Sequence, residues 1–197
     1  MTTQTHAPAP AGEDFRAGVL MLLPLAVAVV PFGLILGANA AAKGLTVLEV
    51  LLMSALVFAG GAQFVAIDLW TDPAPWAALA LTTLLVNLRH VLMGASLSVK
   101  LDRFGPAARA LAVFFMADEI WAMAERRAAE RGLSPAFYAG AAAVLYANWL
   151  LWTVMGAALG ALVADPRAYG FDFAFTAVFI GLVAGFWKGR GSIPVVA

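Results

Sequence analysis

The feature that most constrains this chain is the length of its uncharged apolar runs. Ala17 to Ala42 carries no charged residue at all. A helix needs about 20 mostly apolar residues to cross about 30 Å of hydrocarbon, so Ala17–Leu36 reads as a first span, with Pro24 and Pro31 inside it. The same reading along the 197 residues predicts further spans near Leu48–Trp70, Trp76–Leu97, Ala107–Ala124, Tyr138–Val163 and Phe171–Trp187. Composition agrees: 63% of residues are hydrophobic and only 12% charged, with a mean hydropathy of +0.89. Ordinary soluble domains carry roughly 25% charged residues. So few charges cannot cover this much apolar surface in water. Soluble enzymes, nucleic-acid binders and disordered proteins are thereby excluded; the expected fold is an all-α integral membrane bundle of about six spans.

The ends differ from this middle. Met1–Asp14 is polar, small and proline-bearing, without the cationic start and apolar run of a signal peptide, and reads as a disordered tail. The polytopic domain is expected over 15–187. Residues 188–197 read as a stub that turns apolar again, the start of a further, truncated span. Twelve Lys+Arg offset twelve Asp+Glu, so no basic field awaits a polyanion. The chain has no cysteine and thus no disulfide or thiol chemistry. Orientation stays open: Lys100, Arg103 and Arg109 precede the fourth span, while Arg126, Arg127 and Arg131 follow it. If that span crosses, the two clusters cancel the positive-inside signal; if it is re-entrant, they add.

Polar and helix-disturbing residues at membrane depth carry the chemistry. Pro31, Gly33 and Gly37 sit in one run, and Gly156 and Gly160 repeat the four-residue glycine spacing in the fifth span. That spacing favours close helix packing. It also forms a weak echo that would suit an inverted transporter repeat. Gly60-Gly61 beside Gln63 suggests an unwound segment whose bare backbone groups bind substrate or ions. Asn87, Arg89 and His90 lie inside the third span, and Asp118-Glu119 inside the fourth. An intramembrane cation costs at least about 2.5 kcal/mol on insertion scales unless it is paired or wetted. Arg89 is therefore expected to meet a carboxylate or a substrate. Adjacent helical residues point about 100° apart, so only one of Asp118 and Glu119 can share its site. His90 and the two acids are the candidate proton carriers. Asn148 adds a neutral polar group in the fifth span. Trp70, Trp76 and Trp187 fit interfacial positions, and Trp149 and Trp152 fit packing or the lining of an apolar site. Arg89 or free N–H groups would hold a carboxylate and Asp118 or Glu119 an ammonium, which together describe an amino-acid site. No catalytic constellation, cofactor motif or metal spacing competes, although a membrane-embedded enzyme using His90 with Asp118 and Glu119 is the alternative.

These residues fall into motifs: PFG-x-x-x-G at Pro31–Gly37, Ser54 with AGGAQF at Ala59–Phe64, NLRH at Asn87–His90, DE-x-WA at Asp118–Ala122, and N-W-x-x-W at Asn148–Trp152 followed by Gly156 and Gly160. In this order, from about Phe15 to about Gly185, the chain resembles the AzlC family, the large subunits of bacterial branched-chain amino acid exporters. The resemblance implies export of leucine-, isoleucine- and valine-like amino acids driven by an ion gradient. It also implies a multi-pass permease of the bacterial inner membrane, a small AzlD-like membrane subunit as obligatory partner, and a further hydrophobic segment beyond Ala197. Related members move other amino acids, so the resemblance leaves the substrate open.

Overall fold

The computed structural model describes residues 10–160. Among these, every regular element is helical: α1 Ala11–Ala42, α2 Val47–Leu56, α3 Gly60–Asp68, α4 Trp76–Ser98, α5 Pro106–Phe114, α6 Asp118–Arg131 and α7 Pro135–Gly160. Three of them, α1, α4 and α7, are long and apolar enough to cross a membrane. Helix α1 begins at Ala11, so the last residues of the stretch read as a tail are helical; the sixth expected span and the C-terminal stub lie outside the described residues.

The expected second span does not cross. It is interrupted at residues 57–59, and each half-helix is 10 or 9 residues long. At 1.5 Å per residue, such a piece reaches only about half of the hydrocarbon thickness. The chain then doubles back, since Gln63 Nε2 donates to Ser54 Oγ at 3.1 Å across the turn. Lys43, at the C-terminal end of α1, donates through Nζ to the carbonyls of Asp68 and Trp70 (2.7 and 3.4 Å). Helix α3 therefore returns to the end from which α2 left.

The fourth span is interrupted as well, at residues 115–117. Near its entrance Phe104 stacks edge-on against Tyr138, close to the N-terminus of α7, and the Phe115 tip reaches Tyr146 further along α7. Helix α6 then runs back: Arg127 pairs with Asp14 at the start of α1, and Glu125 pairs with Lys100 at the end of α4. Its charges from Glu125 to Arg131 explain why it emerges rather than continuing through. Both entry and exit of α5–α6 thus lie at one end of the bundle.

The architecture is three crossing helices with two helical hairpins that enter from opposite ends. The inverted relation holds between α1–α3 and α4–α6, each a crossing helix followed by a hairpin. It does not join the two glycine motifs, as the spacing echo suggested. Those motifs lie on α1 and α7, which run parallel and touch. A Cβ on Gly33 would lie 2.8 Å from Trp152 Cβ, one on Gly160 would lie 2.7 Å from Ala38 Cα, and one on Gly37 would land on the Thr153 carbonyl. Between apolar helices in lipid, such backbone approach supplies the association through dispersion contacts. The outward face of α4 (Leu81, Leu84, Leu85, Leu88, Val91 and Leu92) is exposed and apolar, as a lipid-facing surface requires.

Candidate functional site: two uncapped helix starts around Arg89

The hairpin tips bring two helix N-termini to mid-depth, and neither has a side-chain cap. Ala59 precedes α3 and Ala117 precedes α6, and neither methyl can accept the free N–H groups of the first turn. Two of the helix starts at the bundle ends do carry a side-chain cap. Thr46 and Glu49 form a capping box on α2, and Ser134 Oγ accepts the Phe137 N–H of α7 at 3.1 Å. At mid-depth, bare N–H groups are thus present where each hairpin turns.

Arg89 lies between those two starts. It sits near the middle of α4, and its Nη1 donates to Asp118 Oδ2 at 2.7 Å, at the first residue of α6. Its Nη2 faces α3, where a Cβ placed on Gly61 would lie only 3.1 Å away. The side chains of Arg89 and Asp118 remain 42% and 48% exposed, so the pair is open on one side at membrane depth. Two positive helix ends and a guanidinium face the carboxylates of Asp118 and Glu119, so groups of both signs are presented to a ligand. Glu119 lies half-buried beside the pair and takes no ion-pair partner among the described residues. On the same α4 segment, Asn87 Oδ1 and His90 Nδ1 are buried without a hydrogen-bond partner.

Gly60, Gly61 and Gln63 sit at this site in different ways. The helix break falls just before the glycines, which open α3 rather than being unwound themselves. Gly60 admits the Trp149 ring, whose Cη2 would come within 3.0 Å of a Cβ there. Gln63 is buried; besides its bond to Ser54, its Oε1 accepts from Trp149 Nε1 at 2.9 Å. Its amide thus fixes the hairpin to α7. Asn148 points elsewhere: Nδ2 donates to the Ala26 carbonyl at 2.9 Å and Oδ1 accepts from Trp152 Nε1 at 3.0 Å. That ties α7 to α1 just before the Val27 carbonyl, which Pro31 leaves without its helical donor. Pro31, Gly33, Gly37, Gly156 and Gly160 all serve the α1–α7 contact or its helices and stand apart from Arg89.

Some contributors escaped the sequence reading. The second break could have been found from the acidic pair Asp118-Glu119, since acids favour the first turn of a helix. Asp14, buried at the cation-rich end, accepts from Arg127 Nη2 and Ser134 Oγ at 2.7 Å each, and the Arg127 guanidinium lies 4.8 Å over the Phe137 ring. Nearby, Glu125 accepts from Ser96 and Lys100, and Trp121 Nε1 donates to Ser96 Oγ. Nothing in the local sequence signals these long-range pairs. Among the described residues no cluster of His, Asp and Glu has the arrangement of a metal site.

Comparison with known proteins identifies membrane-protein relatives. The family described as AzlC protein matches residues 24–163. The chain is 29% identical to the inner membrane protein YgaZ of Escherichia coli K12 over its whole length and 83% of that protein. It is 28% identical to the branched-chain amino acid transport protein AzlC of Bacillus subtilis 168, covering 88% of this chain and 68% of that one. An uncharacterized membrane protein of Archaeoglobus fulgidus is 28% identical over 89% of the chain and 77% of its own length. No solved structure matches. With the family match covering most of the chain, this is a membrane protein of the AzlC family, related to a branched-chain amino acid transport protein.

Proposed function

We propose that the chain is the large permease subunit of a two-component exporter of branched-chain amino acids in the bacterial inner membrane. It works with a small AzlD-like membrane subunit and is driven by the proton motive force. The observation that carries this reading is Arg89 held between Asp118 and the uncapped start of α3. The substrate carboxylate takes the Arg89 Nη2 side and the free N–H groups of Gly60 and Gly61. The ammonium takes Asp118 or Glu119, and the apolar side chain lies against the aromatic residues near the tips. His90, Asp118 and Glu119 carry the coupled proton, with the unpartnered His90 Nδ1 as one acceptor. Asn87, on the same α4 segment, has a buried Oδ1 free for a further polar group.

The end bearing Arg16, Lys100, Arg103, Arg109, Arg126, Arg127 and Arg131 faces the cytoplasm under the positive-inside rule, because the opposite described end carries only Lys43. The test is efflux from cells loaded with leucine-, isoleucine- or valine-containing dipeptides, with the chain alone and with the small subunit co-expressed. Efflux only with the partner, abolished when the proton gradient collapses, is the expected result. Absent efflux with both subunits in the membrane overturns the substrate assignment, and efflux unaffected by a collapsed gradient overturns proton coupling.

A further inference from the structure

Each helix break leaves carbonyls at the end of its first half-helix without their helical donors, and α7 answers one in each. In a continuous helix the Ala59 N–H would donate to the Ala55 carbonyl; here it turns to Val57. The freed Ala55 carbonyl accepts instead from the Tyr146 hydroxyl, at 3.0 Å. In the second hairpin the Met116 N–H would donate to Ala112, but it turns to Val113. The freed Ala112 carbonyl accepts from the Tyr138 hydroxyl, at 2.6 Å. The Tyr146 ring also packs edge-on against both break residues, 5.1 Å from Phe58 and 5.1 Å from Phe115, which lie 6.5 Å from each other.

We infer that Tyr138 and Tyr146 are positioning residues that hold the two helix breaks open, one hydroxyl for each, and thereby keep the α3 and α6 starts bare for ligand. A buried carbonyl without a donor is costly in an apolar medium, so each tyrosine hydroxyl stabilises the break it serves. Without the hydroxyl, the least costly remedy is for the carbonyl to retake its own N–H and rewind the turn. Rewinding of either break consumes N–H groups and shifts the helix start away from Arg89. The substrate consequence rests on the exporter reading above; the backbone consequence does not.

The test uses Tyr146→Phe and Tyr138→Phe, each keeping its ring, in the full chain with its small subunit. Amide hydrogen exchange is followed on segments 54–61 and 112–119, alongside binding of radiolabelled leucine. Tyr146→Phe is expected to slow exchange about tenfold at the first break only, and Tyr138→Phe at the second only, the effect of one ordinary hydrogen bond. Leucine affinity falls in both variants with folded yield unchanged. Unchanged exchange, or equal effects at both breaks from either variant, overturns the inference. The two substitutions are independent, so a folding failure in one leaves the other decisive. If exchange slows locally while the wild type binds no branched-chain amino acid, the exporter reading falls and the positioning role stands.

Discussion

Arg89 and Asp118 meet at 2.7 Å although they lie on different helices, and Asp118 does so as the first residue of α6. On a continuous fourth span the same carboxylate would lack the free N–H groups of a helix start. The break instead presents the acid at a helix start, where the backbone also favours negative charge.

That arrangement separates a substrate-binding role from a purely structural ion pair. Arg89→Gln should lower transport at least about thirtyfold, from loss of roughly 2 kcal/mol or more of interaction with a desolvated carboxylate. The double variant Arg89→Gln with Asp118→Asn removes both charges at once. It should insert as well as the wild type and remain inactive. Recovery of efflux in the double variant would identify the pair as structural only.

At the cation-rich end, Asp14→Asn leaves Arg127 as a buried cation with no carboxylate. Breaking a buried pair from one side costs about 3 kcal/mol or more, and here it also loosens the attachment of α6 to α1 and α7. A fall in the thermal unfolding midpoint of detergent-solubilised protein is expected. Asp14→Asn combined with Arg127→Met should restore part of it.

Gly37→Leu should prevent α1 and α7 from closing. The added side chain meets the Thr153 carbonyl and Ala157, which are backbone atoms of a packed helix and cannot swing aside. Overpacking costs about 1–3 kcal/mol in ordinary cores and more against rigid backbone. The measurement is the yield of monodisperse protein by size exclusion; a yield equal to wild type would refute close α1–α7 packing.

The hairpin topology predicts a labelling pattern in a chain that has no native cysteine. Asp102→Cys, ahead of α5, and Ala129→Cys, in the last turn of α6, should react with a membrane-impermeant maleimide from the cytoplasmic side only. Thr71→Cys should react from the outside. Labelling of the first two from opposite sides would mean that α5–α6 crosses.

Much of this protein was legible in its residues because the bilayer is a strict solvent. Uncharged runs of sufficient length located α1, α4 and α7, although α1 extends six residues beyond its expected span at each end, and Arg89 with Asp118 and Glu119 could be singled out because charges at membrane depth need partners. The motifs in their order gave the family. Hydropathy by itself, however, counts apolar residues and not direction, so a hairpin and a crossing helix of similar composition look alike. Whether α2–α3 and α5–α6 turned back was decided by contacts distant in sequence: Lys43 with the Asp68 carbonyl, and Asp14 with Arg127. Those contacts place the two cationic clusters at one end of the bundle, the re-entrant one of the two alternatives that the linear order left open. They also decide which Tyr hydroxyl serves which stranded carbonyl, since a backbone group freed in one hairpin can be satisfied only by whatever the tertiary packing lays beside it.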